Sequence, residues 1–456
     1  MASDARRITP ILMEWGDQMK RKADAMPTKE FFVRMITRDI SLEDCLLDLI
    51  DNCLDGARRQ LATKNGSDSI IEDYDGFRAD LHIGPNEFSI DDNCGGISIA
   101  NAIDYAFHFG RRPDAPDEGD HAIGLYGIGM KRAMLKIGKN IAIHSSTENE
   151  AFVCTIDVED WLSHDEWEFD MEDADQVAGT GTKIRITDIN KGIAEEFDDS
   201  TFVNSLSRIV SRDYALFLDK GFSISINGNP LEGYGYAVKE SDEFKSYRKS
   251  YEDGNVRVEV IAGMAAAPPS DLEPSDRPET SYYGWFIVCN DRVVLPADKS
   301  ERTVWGDERF PHWHYQYNGL MGMVLFHARD PNLLPWTTTK RDVDESSPLY
   351  RRAVNEMKKA TRPSIEYTNR RKANLEESRA KERMAKTVSF FKVEENPVLK
   401  VPVPPEKPKI RMANILYTKP LSEVDKVRKS LGKGNMSYRA VGEKTFDYFV
   451  EHEVEE

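Results

Sequence analysis

The sequence lacks the features typical of secreted proteins, of proteins stabilised by a structural metal ion and of membrane-spanning proteins. Its five cysteines are scattered over 456 residues without a CxxC pair, so a disulfide framework and a structural zinc site are disfavoured and the reducing cytoplasm is favoured. No run of about 18 apolar residues occurs, which predicts that no segment spans a membrane. The N-terminal stretch is too charged for the apolar core of a secretory signal.

Basic residues are also fewer than acidic ones. Lysine and arginine number 61 against 79 aspartates and glutamates, which gives a net charge of -18 at pH 7. A chain this acidic is a poor candidate for a protein that slides freely along nucleic acid, although a local basic face stays open. With 40% hydrophobic and 31% charged residues the composition is that of a globular protein, and the length predicts about three domains.

Changes in composition divide the chain into five predicted segments. These are a helical lead-in at 1–27, an α/β domain at 28–195, a second α/β domain at 196–345, a long helical region at 346–390, and a Pro-rich linker with a small helical unit at 391–456. The order of helix, strand pair, glycine-rich turn, helix and three strands in the first domain predicts an α+β fold with helices on one face of a sheet.

The first motif that carries chemistry is the helical segment DLIDNCLDGA, residues 48–57. Asp44, Asp48, Asn52 and Asp55 lie at i, i+4, i+8 and i+11, so they share one helix face. Carboxylates on one face repel each other unless a positive group lies there, and Mg²⁺ with phosphate is one such group. For the motif taken alone, a solvated acidic face is the alternative interpretation.

The second motif, DDNCGGI at 91–97, directly follows a predicted strand. A carboxylate at a strand end followed by two glycines lets the backbone approach a flat ligand closely, because glycine has no side chain. Asp92 is the carboxylate expected to accept a hydrogen bond from an exocyclic amine such as that of adenine. An ordinary DN–GG turn is the alternative interpretation.

Two more glycine-rich motifs follow. GLYGIGMK at 124–131 leads into a helix, where backbone amides bind phosphate and Lys131 adds a charge. A dinucleotide-binding motif is disfavoured because no simple βαβ unit precedes it, and the Walker A pattern is absent. GTGTKI at 179–184 by itself indicates only a turn into a strand. The order and spacing of all four motifs are the specific signal.

Together the four motifs resemble the GHKL ATPase superfamily, which includes gyrase, the ninety-kilodalton heat-shock chaperone, histidine kinases and MutL. The resemblance implies a two-layer α/β sandwich, the Bergerat fold, that binds ATP and Mg²⁺. It implies that Asn52 holds Mg²⁺, Asp48 is the general base that activates water, and Asp92 contacts adenine. The other residues it implies at the nucleotide, most of them in a lid over residues 97–131, are Asp55, Gly96, Ile97, Gly110, Gly124, Tyr126, Gly127, Ile128, Gly129, Met130, Lys131 and Thr182.

Two positions depart from the family pattern. The base is usually a glutamate, whereas Asp48 is one methylene shorter, which bears on the rate of hydrolysis more than on ATP binding. The second motif usually reads DNGxG, and here Cys94 replaces the first glycine. A positive φ at that position would be strained for cysteine, so a different local turn is expected.

The lid stretch HFGRRPD…AIGLYGIGMKRA further resembles the microrchidia (MORC) ATPases and their prokaryotic relatives. The second domain is similar in layout to the transducer domain of such proteins, which supplies a cation to the γ-phosphate. Lys340 in TTTKRD is the implied residue and Arg341 the alternate. A surface loop is the alternative interpretation of this stretch.

These resemblances predict a slow ATP-driven switch in which lid closure brings two copies together as a homodimer. The MORC likeness implies DNA handling or prokaryotic antiviral defence, with a partner protein or nucleic acid as effector. A chaperone-like ATPase acting on a client protein and a nucleotide-gated scaffold that never hydrolyses stay open. A histidine kinase is disfavoured because residues 1–81 contain no histidine, and a MutL-like nuclease because the tail has no DQHA-type motif.

Two patterns in the C-terminal third complete the sequence-based expectations. The basic residues of 350–386 alternate with glutamates, which favours a solvated or coiled helix over contact with a nucleic-acid backbone. The aromatic residues Phe446, Tyr448 and Phe449 are more typical of a small core or a docking helix than of a platform for stacked bases.

Overall fold

A computed structural model describes most of the chain. The described residues are 26–65, 71–110, 112, 122–124, 127–176, 179–266, 282–307, 309–337, 339–402, 413–432 and 435–454. They divide into two compact units, Met1–Pro404 and Pro405–Glu456. The helical lead-in predicted at 1–27 lies outside the described residues except for its last two, and Tyr126 of the lid also lies outside them.

An eight-stranded sheet forms the first layer of the larger unit. Its strands are β1 (Arg78–Ile83), β2 (Glu87–Asp92), β3 (Gly138–Ser146), β4 (Ala151–Asp157), β5 (Met171–Asp173), β6 (Gly181–Ile189), β7 (Ser223–Ile226) and β8 (Asn229–Pro230). They lie in the order β5-β4-β3-β6-β2-β1-β7-β8, and only the β1–β7 pair is parallel. Strand β7 therefore extends this sheet beyond residue 195, where the sequence had placed the end of the first domain.

Among the described residues, eight α-helices precede these strands or connect them in the chain, and α2 and α4 carry residues of the motifs. They are α1 (Lys29–Arg38), α2 (Leu42–Asn65), α3 (Ile99–Asn101), α4 (Gly129–Ile137), α5 (Val158–Ser163), α6 (Lys191–Asp198), α7 (Ser200–Asp213) and α8 (Ala215–Asp219). Helix α2 begins after Ser41, whose hydroxyl accepts a hydrogen bond from the Asp44 amide at 3.0 Å, as expected of an N-cap. Its apolar stripe, which includes Cys45, Leu49 and Cys53, is buried in the core.

The amphipathic pattern of residues 201–221 and its final glycine predict a single helix, which the structure divides into α7 and α8. The break lies at Tyr214, whose φ of -111° and ψ of 15° depart from helical values. Its buried hydroxyl lies 2.9 Å from the Leu47 carbonyl oxygen and 2.7 Å from a carboxylate oxygen of Asp51, both on α2. A partner distant in sequence therefore sets this break, which local periodicity cannot reveal.

Among the described residues, the rest of the larger unit contains a second sheet, a separate pair of strands and two α-helices. They are β9 (Ala237–Glu240), β10 (Tyr247–Asp253), β11 (Val256–Met264), β12 (Gly284–Cys289), β13 (Arg292–Asp298), β14 (Leu320–Ala328), α9 (Pro348–Arg371), α10 (Leu375–Met384) and β15 (Lys386–Ser389). The five-stranded sheet has the order β10-β11-β14-β12-β13, and β9 forms a two-stranded sheet with β15, with one further bridge from Val238 to Ala265. Central strands β11, β12 and β14 are buried on both faces, and α9 packs on one of them through a 3.1 Å hydrogen bond from Trp285 Nε1 to the Thr361 hydroxyl.

The helical region predicted at 346–390 is shorter than expected. It ends at Met384, because Thr387 and Val388 pair with β9 as strand β15. Basic side chains of α9 lie beside acids of neighbouring elements: Arg352 beside Asp253 at 2.8 Å, and Arg371 beside Glu382 at 2.7 Å. These two basic residues of α9 therefore have acidic partners within the protein.

The described residues of the smaller unit form two helices, α11 (Leu421–Ser430) and α12 (Tyr438–Glu453). Both match helices expected from the sequence. The Ser437 hydroxyl caps α12 by accepting a hydrogen bond from the Ala440 amide.

Gly322 of β14 offers a test of the packing between the second sheet and α9. A Cβ at this position would lie 2.4 Å from the ring of Trp285, which is fully buried, so we expect Gly322→Ala to lower the free energy of unfolding by about 1–3 kcal/mol. Urea denaturation measures the change. Gly192→Ala on α6 is the matched control, because nothing lies within 4 Å of its added methyl group. Equal unfolding midpoints in the two variants would contradict the packing.

Candidate functional site

A cavity of about 560 Å³ opens beside α2 and α4 at the ends of β2 and β6. Its lining brings together side chains and backbone from all four sequence motifs and from the TTTKRD stretch. The predicted site residues that line it are Asp48, Asn52, Asp55, Asp92, Gly96, Ile97, Gly110, Gly124, Gly127, Ile128, Gly129, Met130, Lys131, Thr182 and Lys340. Residues separated by almost 300 positions in the chain therefore meet at one cavity, whose volume is that of ordinary small-molecule sites.

Helix α2 presents Asp48, Asn52 and Asp55 to the cavity, as their spacing predicts. Both carboxylate oxygens of Asp55 accept backbone hydrogen bonds, from the Ile123 amide at 2.8 Å and the Gly124 amide at 2.6 Å. Burial raises the pKa of Asp55 above its ordinary value in spite of these bonds. The carboxylate therefore holds the start of the glycine-rich segment, while the Asn52 side chain is exposed to the cavity.

Asp48 has a cation at each carboxylate oxygen. Arg132 donates to Oδ2 through Nε at 2.9 Å and Nη2 at 2.5 Å, and Lys340 Nζ lies 3.5 Å from Oδ1. Gly129, the first residue of α4, allows this approach, because a Cβ there would lie 3.2 Å from Asp48 Cγ. The carboxylate is thus neutralised on both sides by α4 and by the distant lysine.

The sequence pointed to Lys131 as the cation of the third motif, but its neighbour makes the contact with Asp48. Lys131 is buried, and its Nζ donates to the Ala106 carbonyl oxygen at 2.7 Å. Arg132 was missed, although the sequence MKRA places a second cation directly after the expected one. On a helix, adjacent residues point about 100° apart, so only the docking of α4 decides which one faces α2.

The opposite end of the cavity is built around Asp92. Its Oδ1 accepts from the Cys94 amide at 2.7 Å and the Thr182 amide at 3.3 Å, and the Cys53 thiol lies 3.5 Å from Oδ2. Burial raises the pKa of Asp92 above its ordinary value. The second and fourth motifs therefore converge on one partly buried carboxylate.

Glycine is required where the second and fourth motifs cross. A Cβ on Gly96 would lie 2.2 Å from the Ser146 carbonyl oxygen, and one on Gly181 would lie 1.9 Å from the Asp92 carbonyl oxygen. The strain expected at Cys94 does not arise, because the positive φ values fall on Gly95 at 99° and Gly96 at 71°. Cysteine is therefore tolerated in place of the usual glycine, because the turn begins one residue later.

Lys340 reaches the cavity at the tip of a short loop. The Trp336–Val343 bridge closes the loop, and Lys340 adopts a φ of 55°, a conformation that costs energy for a residue with a side chain. Its buried Nζ lies 2.9 Å from Asp51 Oδ2. Desolvation opposes the charge, but Asp51 and Asp48 outweigh it and raise the pKa of Lys340.

Asp51 is the central site residue that sequence analysis missed. Its Oδ1 accepts hydrogen bonds from the Tyr214 hydroxyl at 2.7 Å and from Arg292 Nε at 3.2 Å. Together with Lys340, three residues outside α2 therefore donate to this carboxylate. Burial alone would raise the pKa of Asp51, but the charges of Lys340 and Arg292 hold it below its ordinary value. The sequence contained one indication of this role, which is that Asp51 lies inside the first motif. Its side chain, however, is not on the helix face that carries Asp48 and Asn52.

Further contacts join α2 to the second sheet. Asp44, expected on the shared acidic face, instead lies 2.8 Å from Arg341 Nε, and Arg341 also donates to the buried Asp213 at 2.6 Å. At the other end of α2, Arg58 donates to the Asn290 carbonyl oxygen at 2.7 Å, at the tip of the β12–β13 turn. Arg341, the alternate cation for the phosphate, thus has a structural role at this junction.

Mg²⁺ was expected at Asn52, and the donor set fits such a role. Mg²⁺ keeps several waters and binds one or two protein oxygens together with substrate phosphates. Asn52 offers an exposed amide oxygen at the cavity. Within the described part of the chain, no group of three or more His, Cys, Asp or Glu side chains could hold a metal ion, and no helix is long and apolar enough to cross a membrane.

Replacing Asp51 by asparagine tests the junction between α2 and the second sheet. We expect Asp51→Asn to lower the free energy of unfolding by about 3–5 kcal/mol at neutral pH, because Lys340 and Arg292 each lose their nearest buried counter-charge. The folded pKa of Asp51 lies below the unfolded value, so its contribution is present above about pH 4 and is lost as the pH falls toward the folded pKa. Urea unfolding near pH 7 and about pH 3 measures both effects.

The difference between wild type and Asp51→Asn should therefore shrink in acid. Asp188→Asn is a suitable control, because Asp188 is exposed and lies 4.0 Å from Lys139, a surface pair that contributes little. A difference for Asp51→Asn that is small at neutral pH, or that does not change with pH, would contradict the interpretation.

Comparison with known families covers the part of the chain that forms most of this cavity. Residues 40–192 match the family described as Histidine kinase-, DNA gyrase B-, and HSP90-like ATPase. The match includes α2 and all four motifs, and it ends before Lys340. A comparison with curated proteins gives no match to the chain. Residues 40–192 are therefore similar to a GHKL-type ATPase domain, and the sandwich of helices on an antiparallel-rich sheet has the fold that this similarity implies.

Proposed function

We propose that the protein binds ATP with Mg²⁺ and hydrolyses it slowly. Nucleotide binding would change the contacts that join the cavity to the second sheet. The observation that carries the proposal is the cavity itself. At one end it has a partly buried carboxylate, Asp92, and at the other a glycine-rich helix start beside Asp48, Arg132 and Lys340. This polarity, with a hydrogen-bond acceptor for a base and cations for phosphates, matches an adenine nucleotide laid along the cavity.

The adenine end depends on a pre-formed acceptor. The Asp92 carboxylate is oriented by the Cys94 and Thr182 amides, and it needs no rearrangement to accept from an exocyclic amine. Guanine carries a carbonyl where adenine carries that amine, so the same carboxylate disfavours GTP. Gly96 and Gly181 remove the side chains that would fill this end of the cavity.

The phosphate end depends on cations and on the N-terminus of α4. The amides that begin this helix attract anions, and Arg132 and Lys340 add two positive charges. Asn52 would hold Mg²⁺, whose charge offsets that of the phosphates when it is bound. This arrangement supports triphosphate binding without any further protein group.

Asp48 is the residue proposed to activate water. As a base it accepts one proton from the attacking water, whose oxygen forms the new bond to the γ-phosphorus while the bond to ADP breaks. Arg132 and Lys340 now neutralise this carboxylate. A γ-phosphate competes for both cations, so binding of ATP would release Asp48 for proton transfer at the moment when it is needed.

Lys340 links this chemistry to the second sheet. It shares Asp51 with Arg292 of β13 and with Tyr214 at the α7–α8 break. If Lys340 turns to the γ-phosphate, Asp51 loses one of its two cations, and the junction with β13 is weakened. The proposed switch is this exchange of partners by one lysine, a discrete two-state element of the kind that coupling requires.

A second candidate function is a nucleotide-gated scaffold that does not hydrolyse. The two ion pairs of Asp48 and its short side chain favour it, because both hinder a carboxylate from acting as a base. For the cellular role, the MORC resemblance supports DNA handling or antiviral defence with closure of two copies around ATP. Stimulation of turnover by DNA favours that role, and stimulation by unfolded protein favours a chaperone.

Asp92→Asn tests the adenine end. The amide keeps the shape but presents an NH₂ group toward the adenine amine, so we expect Kd for ATP to rise about 10- to 100-fold and the preference over GTP to be lost. Isothermal titration with each nucleotide and Mg²⁺ measures both effects. Asp91→Asn is the neighbouring control, because Asp91 is a half-exposed residue paired with Arg78 on the sheet. Retained selectivity in Asp92→Asn would remove Asp92 from this role.

Asp48→Asn tests the base. We expect kcat to fall at least about 100-fold while Kd for ATP changes little, because the amide cannot accept the proton. Asp48→Glu, which introduces the usual residue of the family, should retain turnover. Steady-state phosphate release with matched binding measurements separates the outcomes.

Three results of the Asp48 experiment have distinct meanings. Turnover that survives in Asp48→Asn removes Asp48 as the base. ATP binding without turnover in the wild type favours the scaffold. Absence of ATP binding in the wild type rejects the proposed function as a whole.

A further inference from the structure

A buried serine in β3 connects the second and fourth motifs behind the base end of the cavity. Ser145 follows Ile141 and Ile143 at alternate positions of the strand, so its side chain points to the same buried face of the sheet. Its exposed fraction is 0%. A hydroxyl in such a place needs hydrogen-bond partners, because an unpaired buried polar group costs free energy.

Three groups surround the Ser145 hydroxyl. The backbone amide of Ile97, in the second motif, donates to Ser145 Oγ at 2.7 Å. The Thr182 hydroxyl, on the residue directly opposite in β6, lies 3.0 Å from Ser145 Oγ, and the Gly181 carbonyl oxygen lies 3.4 Å from it. Ser145 therefore contacts both motifs, although neither contains it.

The Ile97 amide sets the direction of these hydrogen bonds. An N–H group can only donate, so Ser145 Oγ accepts from it, and the single Ser145 proton goes to Thr182 or to the Gly181 carbonyl. The 3.0 Å contact has the length of an ordinary O–H···O hydrogen bond, whereas 3.4 Å is longer than that. Donation to Thr182 is therefore favoured, and it leaves the Thr182 proton for the cavity that this residue lines.

This direction gives the base end of the cavity an acceptor and a donor side by side. Asp92 presents the acceptor, and the Thr182 amide that bonds to its Oδ1 at 3.3 Å keeps the Thr182 hydroxyl beside it. On the edge of adenine, the exocyclic amine donates and the adjacent ring nitrogen N1 accepts. Guanine and hypoxanthine carry the reverse pair, a carbonyl and an N1–H, so a donor at Thr182 matches adenine and disfavours both.

We propose that Ser145 is a positioning residue for base recognition. By accepting from Ile97 and donating to Thr182, it makes the Thr182 hydroxyl a donor to adenine N1, directly or through one water molecule. Each hydrogen bond of the chain also polarises the next, which strengthens the last donor. The inference rests on the proposed function, because it requires an adenine nucleotide in the cavity. It places a determinant of base selectivity in β3, outside all four motifs.

The wild-type protein allows a first test with ATP and 1-deaza-ATP, in which a C–H group replaces N1. Both nucleotides carry the amine assigned to Asp92, and they differ at the acceptor assigned to Thr182. We expect Kd for 1-deaza-ATP, measured by isothermal titration with Mg²⁺, to be about 10-fold higher than that for ATP. Equal affinities would overturn the proposal and leave ATP binding intact. Absence of ATP binding would reject the proposed function and this inference with it.

Ser145→Ala separates positioning from a purely structural role. We expect Kd for ATP to rise about 10-fold while Kd for 1-deaza-ATP stays within about twofold of its wild-type value, so the preference for ATP is lost. A serine that only supports the fold would weaken both nucleotides equally, and that result would overturn the proposal. Ser146→Ala is the matched control, because Ser146 is also buried but points to the other face of β3. It should retain the preference.

Thr182→Val tests the same hydrogen-bond chain without changing Ser145. Valine is similar in shape to threonine but has no hydroxyl, so this variant should also lose the preference for ATP over 1-deaza-ATP. Because Ser145 acts through Thr182, adding Ser145→Ala should change the remaining preference by less than about twofold. Circular dichroism verifies the folding of each variant. A Thr182→Val protein that retains the preference would overturn the proposal even where Ser145→Ala fails to fold.

Discussion

The buried carboxylate of Asp51 is the constraint on which the rest of the larger unit depends. Taking one carboxylate and two cations out of water costs several kcal/mol per ion unless their geometry compensates it. Lys340, Arg292 and Tyr214 provide that compensation within 3.2 Å. Because these partners come from the 336–343 loop, from β13 and from the α7–α8 break, one side chain on α2 positions three distant segments.

The two ends of the cavity differ in how they are held. One end is rigid, and at the other end the contacts can be exchanged. Around Asp92, backbone amides and close glycine contacts determine the shape, and little can move without a clash. Around Asp48, the contacts are ion pairs between side chains, which an incoming anion can replace. On the proposed function, such a site would combine recognition of a base by fixed hydrogen bonds with a response to phosphate by redistribution of charge.

Much of the fold could be predicted from the sequence, because its signals are local. The periodicity of α2, the GPN turn between β1 and β2, and the Asn227-Gly228 turn between β7 and β8 each depend on residues a few positions apart. The grouping of the four motifs at one site also followed from their order, through the resemblance to GHKL ATPases. What could not be predicted depends on partners far away in the chain. The break at Tyr214, the strand β15 and the extension of the first sheet by β7 belong to this class.

The sequence by itself determined which residue types stand at the site: carboxylates and an amide at helical spacing, and glycines where backbone segments cross. Only the tertiary structure decided how the charges are paired. Arg132 rather than Lys131 contacts Asp48, Asp44 turns to Arg341, and Asp51 becomes the centre of the junction with Lys340. The physical reason is that helical spacing specifies a face, whereas the choice of partner depends on the docking of one element against another. A charge that is buried on folding must have a partner, because removing it from water is costly. This requirement decides the pairing, and it arises only in the folded state.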